Sequence, residues 1–169
     1  MTETLSATLS AEIEHLVETV LRIACDRNLT LVTAESCTGG LLASLLTDVE
    51  GCAHTFERGF VAYTDAAKRE VLGVPADLLT RYGAVSAQVA AAMAVGALAA
   101  SSGDVALSVT GFAGPGAPDE EPGLVHFGMA RAGFETITRE HHFGDIGRGA
   151  VRLACLEVGL KLLHSGLTC

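Results

Sequence analysis

No block of basic residues occurs in this chain. Lys plus Arg number 11 against 20 Asp plus Glu, a formal net charge of −9. Such a chain is a poor electrostatic match for a polyphosphate backbone, so nucleic-acid binding is not expected, although a small anion in a local pocket is still permitted. The five cysteines, at 25, 37, 52, 155 and 169, include no CxxC pair and are odd in number. That argues against a disulfide scaffold and a structural zinc site, and for free thiols in a reducing cytosol. The polar stretch Met1–Ser10, with Glu3, lacks the basic and apolar regions of a signal peptide. The charge-free run Ala84–Gly103 is mostly Ala and Gly and includes Ser86, Gln88, Ser101 and Ser102. A membrane span wants about twenty strongly apolar residues, so this run reads as a buried, tightly packed helix. No internal repeat, linker or low-complexity segment interrupts the chain.

What is present suits one cytoplasmic domain over residues 1–169, with 1–9 expected as a flexible N-terminus. Apolar residues make up 49% and mean hydropathy is +0.40, which excludes disorder as the main state. A chain of this length buries roughly two-thirds of its unfolded surface.

The periodicity predicts a helix over 11–27, capped by Ser10 and ended by Asn28 in a left-handed conformation. A strand over 29–34 follows, then a turn of small residues from Ser36 to Gly40 and a helix from Leu41 to Val49. Residues 56–63 read as a strand, and 64–72 and 76–82 as short helices separated by Gly73-Val74-Pro75. Ser86 caps an Ala-rich helix over 87–101. Val105–Val109 reads as a central strand, and 111–123, with its glycines and prolines, as a loop. Two strands, 124–130 and 135–143, form a hairpin whose second strand is polar enough for a sheet edge. A closing helix begins near Arg148. Five strands interleaved with helices predict a three-layer α/β/α domain with a five-stranded mixed sheet. Ligands of such sheets bind outside the carboxyl ends of the strands, where Glu35–Gly40 and Thr110–Gly116 fall.

At the first of these ends a strand enters a helix through small residues. Backbone N–H groups there can hold an oxyanion, Gly39 and Gly40 allow close approach, and Ser36 and Thr38 add hydroxyls. Ser36 is a candidate nucleophile for a carbonyl. A plain helix cap and turn explains the same residues, and Cys37 is a competing nucleophile. Lys68 is a candidate base for Ser36 if burial or a nearby positive charge lowers its pKa, with Tyr63 relaying the proton or holding the oxyanion. The alternative is a solvated Lys68 and a core Tyr63. The loop from Gly111 to Gly116 has the glycine spacing of a P-loop, but Ala117 and Pro118 replace its Lys and Ser/Thr, so an ATPase is not expected. The loop can still let backbone approach a phosphate or ribose, or simply make a tight crossover. Arg148 and Arg152, one helical turn apart, are candidate phosphate clamps or surface ion pairs. His141 and His142 point to opposite faces of one strand, so no metal site is expected.

Taken together, Thr33–Gly40 (TAESCTGG), Gly59–Val74 (GFVAYTDAAKREVLGV), Gly83–Ser86 (GAVS) and Thr110–Pro115 (TGFAGP) resemble the C-terminal domain of competence/damage-inducible protein CinA. That family includes stand-alone nicotinamide-nucleotide amidohydrolases, and the similarity runs over roughly residues 10–163. The resemblance implies an α/β/α fold and hydrolysis of nicotinamide mononucleotide to nicotinate mononucleotide and ammonia. It implies a catalytic Ser36, Lys68 and Tyr63 and no cofactor or metal. Substrate binding is expected at Thr38, Gly39, Gly40, Thr110, Gly111, Gly114 and Arg148. The expected partner is a small pyridine nucleotide rather than nucleic acid or membrane, and a homo-oligomer is expected from the resemblance alone. The family usually carries Asn where Asp65 stands, and a carboxylate there is expected to oppose loss of the Lys68 proton. The loop from Ala117 to Gly123 is shortened and lacks the family's lysine. These departures motivate an alternative: a nucleotide-binding module with little turnover, acting through partners in competence or DNA-damage response.

Overall fold

The computed structural model describes residues 9–169; the expected flexible N-terminal segment lies outside the described residues except for Leu9. Helix α1 (Ala11–Asp26) starts where Ser10 Oγ accepts the Ile13 N–H, and its inward stripe is Ile13, Val17, Val20, Leu21 and Ala24. Asn28 follows with φ 54°, the left-handed turn expected of it. The chain then runs β1 (Leu31–Glu35), α2 (Leu41–Leu45), β2 (Phe56–Val61), α3 (Asp65–Leu72), α4 (Ala76–Tyr82) and α5 (Ala87–Ala99). It closes with β3 (Val105–Gly111), β4 (Leu124–Arg131), β5 (Ile137–His142) and α6 (Arg148–Thr168). Helix α2 stops well short of the expected Val49, because Thr47 and Asp48 turn back onto Ser44 and Leu45.

The five strands form one sheet in the order β2-β1-β3-β4-β5. Strands β2, β1 and β3 are parallel, β4 pairs antiparallel with β3, and β5 pairs antiparallel with β4. Strand β5 lies at an edge, as its polar alternation predicts. Side-chain alternation divides the core between the two faces. Leu31, Val105, Leu107 and Val109 pack with α1, α2 and α6. Val32, Ala34 and Ala106 pack with α3, α4 and α5. The result is the three-layer α/β/α arrangement with a mixed sheet.

This topology fixes where a ligand can sit. β1 lies between β2 and β3, so the three parallel strands end side by side at the same edge of the sheet. The connection after β1 carries α2 over one face, and the connection after β2 carries α3 to α5 over the other. A crevice opens at the carboxyl end of β1, between those two departures. The approach of α3 to α5 is set by Gly96, where a Cβ would overlap the Leu72 carbonyl. No described helix is long and apolar enough to cross a membrane.

Candidate active site

Ser36 is the first residue past β1, and its N–H donates to Val109 O of β3 at 3.0 Å. Its hydroxyl therefore stands at the sheet edge, in the crevice. The turn behind it needs left-handed backbone at Gly39 (φ 60°) and Gly40 (φ 96°). Two side chains hold that turn. Glu35 is fully buried, and its carboxylate accepts the N–H groups of Gly40 (3.1 Å), Leu42 (3.0 Å) and Ala43 (2.8 Å). The carboxylate thus satisfies the orphan donors of α2 and meets the positive end of that helix. From α6, Arg152 Nη2 donates to Thr38 O at 2.8 Å and packs so close to Gly39 that a Cβ would come within 2.9 Å of it.

Helix α3 brings the lysine. Thr64 Oγ1 caps it by accepting the Ala67 N–H at 3.1 Å. Lys68 and Leu72, one turn apart, form its buried face. Lys68 is only 1% exposed, while Tyr63 is 67% exposed, which reverses the sequence alternative of a solvated lysine and a core tyrosine. Lys68 Nζ lies 3.1 Å from each of Ser36 Oγ, Ala62 O and Tyr63 O. Burial pushes the Lys68 pKa down; Asp65 and, less strongly, Cys37 oppose that shift. Asp65 itself is exposed and forms no ion pair with Lys68, so the expected antagonist acts only through space.

This nitrogen can lose a proton without rearrangement. As an ammonium it has three donors for three oxygens. As a neutral amine it keeps two N–H bonds to the carbonyls and turns its lone pair to the serine O–H. Dry surroundings favour the second state, which is the one able to take a proton from Ser36.

Ser36 and Lys68 open onto a cavity of about 380 Å³. Tyr63, Thr110, Gly111, Gly114 and Arg148 also line it. Thr110 Oγ1 donates to Ala84 O at 2.8 Å, tying the end of β3 to the segment before α5. Tyr63 contributes its carbonyl to Lys68, and its phenol has no hydrogen-bond partner among the described residues. Thr38, Gly39 and Gly40 do not line the cavity. Gly39 N–H donates to Ser36 O, and Gly40 N–H is held by Glu35. The N–H groups of Cys37 and Thr38 are left without a backbone or side-chain oxygen acceptor among the described residues. The two arginines separate, with Arg148 at the cavity and Arg152 turned to the Thr38 backbone.

Cys37 is a buried free thiol, and its neighbour Cys155 has its pKa pushed up by Cys37 and by burial. No described group of His, Cys, Asp and Glu has the arrangement of a metal site.

Sequence reasoning passed over Glu35 and the role of Arg152. A glutamate ending an otherwise uncharged buried strand, directly before a helix N-terminus, is a readable signal for the first. The second had none, since the partner of Arg152 is a backbone carbonyl 114 positions away.

The fold and this pair define a class: an α/β/α domain holding a hydrogen-bonded serine and buried lysine where the parallel strands end. The model of the CinA C-terminal domain matches residues 13–167, and the chain belongs to that family. Nicotinamide-nucleotide amidohydrolase PncC of Escherichia coli K12 is 44% identical over 156 residues, covering 90% of this chain and 93% of that protein. A putative competence-damage inducible protein of Symbiobacterium thermophilum is 51% identical over 122 residues, 71% of this chain but only 29% of that protein. Among solved structures, competence/damage inducible protein CihA from Agrobacterium tumefaciens superposes with a TM-score of 0.90 at 41% identity, covering 95% of this chain and 98% of that one. The CinA superfamily protein of Escherichia coli gives 0.85 at 37% identity, covering 90% of each chain.

Proposed function

We propose that this protein hydrolyses the carboxamide of nicotinamide mononucleotide, releasing ammonia and nicotinate mononucleotide. The observation that carries the reading is the 3.1 Å contact between Ser36 Oγ and a lysine nitrogen from which water is almost excluded. The full-length likeness to PncC supports the substrate.

In this reading Ser36 Oγ attacks the carboxamide carbon while its proton passes to neutral Lys68 Nζ. The carbonyl π pair moves to oxygen, and the N–H of Cys37, the turn residue that lines the cavity beside Ser36, holds the resulting oxyanion. The pair returns, the C–N bond breaks, and the Lys68 ammonium gives its proton to the departing nitrogen, which leaves as ammonia. Water then attacks the acyl ester, Lys68 takes a water proton, and Ser36 recovers it as the acid leaves. Tyr63 positions the amine through its carbonyl. Arg148 takes the phosphate, and the backbone at Thr110, Gly111 and Gly114 borders the sugar. The partner is thus a small pyridine nucleotide, and the setting is the cytoplasm. The homo-oligomer and the single-domain assignment belong to the same reading.

Ammonia release from nicotinamide mononucleotide by the purified chain tests it. The expected result is turnover with nicotinate mononucleotide as the sole pyridine product. Binding without turnover at any pH from 6 to 9 would leave the alternative of a nucleotide-binding module.

A further inference from the structure

The same cavity carries an acidic group that the chemistry above does not use. Glu120 lines it, on the loop that also supplies Gly114 and Gly116. Its carboxylate folds back to accept the Ala117 N–H at 2.9 Å, while the Glu120 N–H donates to Ala117 O at 2.9 Å. A side chain at Gly116 would meet the carboxylate where it now lies, so the glycine lets Glu120 fold back without moving aside. The next residue, Glu121, is bound to His142 of β5 at 2.7 Å, which fastens the loop to the sheet edge. Glu120 is therefore a half-buried acid at the cavity wall, placed there by the folded-back loop.

Arg148 lines the same cavity and makes no ion pair with Glu120 among the described residues. Opposite charges that share a cavity without meeting are both available to a ligand. A carboxylate only accepts hydrogen bonds, and it repels a phosphate. The ligand groups it suits are neutral donors next to the phosphate, which in a nucleotide are the sugar hydroxyls.

We propose that Glu120 is a specificity-determining residue that accepts hydrogen bonds from the ribose hydroxyls of the substrate. The inference rests on the nucleotide-hydrolase reading and deepens it. Arg148 and Glu120 then sort the two polar ends of the sugar phosphate, and a second phosphate in place of a ribose hydroxyl is rejected.

The test compares nicotinamide mononucleotide with its 2′,3′-dideoxyribose counterpart, using wild type, Glu120→Ala and Glu120→Gln. Wild type is expected to prefer the ribose substrate by about 10- to 100-fold in kcat/KM, mostly through KM, the range of a hydrogen bond to a charged group. Glu120→Ala brings the ratio to within about threefold, and Glu120→Gln lies between. A merely structural role for Glu120 lowers both substrates alike and leaves the ratio unmoved. A ratio unchanged in Glu120→Ala, or no preference in wild type, overturns the proposal. If wild type releases no ammonia at all, the hydrolase reading fails separately. The calorimetric affinities of the two nucleotides then replace kcat/KM, and equal affinities, or no binding of either, overturn the assignment of Glu120.

Discussion

Lys68 Nζ and Ser36 Oγ stand 3.1 Å apart although 32 positions separate them in the chain. The contact exists because β1 and β2 are parallel neighbours, so the residues that follow each strand emerge at one edge. If it is the reacting pair, Ser36→Ala and Lys68→Met each lower ammonia release by at least about 10³-fold, as removal of a nucleophile or its base does elsewhere. Cys37→Ala keeps activity within about tenfold, since loss of a buried free thiol removes packing rather than chemistry. Steady-state ammonia assays decide this, and full activity in Ser36→Ala would sink the assignment.

Asp65 raises the Lys68 pKa against the larger effect of burial. Asp65→Asn removes the opposing charge, so Lys68 titrates lower and the acid-side limb of the kcat/KM profile moves to lower pH. The coupling acts across exposed surface, so the displacement shrinks as salt is raised. Linkage runs in the same direction. The folded chain binds the Lys68 proton less tightly than the unfolded chain, so this group adds stability above its unfolded pKa and loses it as pH falls through the folded value. A limb that stays in place in Asp65→Asn means that another group controls it.

The Glu35 carboxylate accepts three backbone N–H groups at the start of α2. Glu35→Ala leaves these donors without it and is expected to cost about 3 kcal/mol or more in urea unfolding. Glu35→Gln, which keeps one oxygen, costs less. Both variants lower kcat more than they raise KM, because the turn that aims Ser36 is loosened while the cavity walls remain. An unfolding midpoint equal to wild type in Glu35→Ala would count against this role.

Gly96 lies on α5, outside the cavity lining, yet it sets how closely α3 can approach. Gly96→Ala drives a methyl group against the Leu72 carbonyl and pushes α3, with Lys68 on it, away from β1. The expected loss is about 1–3 kcal/mol of stability, together with a fall in kcat. Thermal unfolding beside the activity assay checks both. A stable variant with normal kcat would show that α3 has slack.

Much of this molecule was legible in one dimension. Period-3.6 spacing marked α1. The uncharged run Val105–Val109 marked the central strand, and polar alternation after Gly133 marked the edge. These signals are local, because a stripe or an alternation records which face of a single element meets the core. TAESCTGG likewise announced a strand, a turn of small residues and a helix start within eight consecutive residues. What only the tertiary structure decided was which side chains meet. Read alone, Lys68 passed for a solvated residue on a short helix, because its burial depends on α3 lying across the sheet edge with Leu72 one turn away. Tyr63 changed places with it for the same reason. Glu35, Arg152 and Glu120 draw their meaning from backbone groups and a cavity assembled by distant or folded-back chain. Desolvation and hydrogen bonding depend on distance in space, and spacing along a sequence carries little of that.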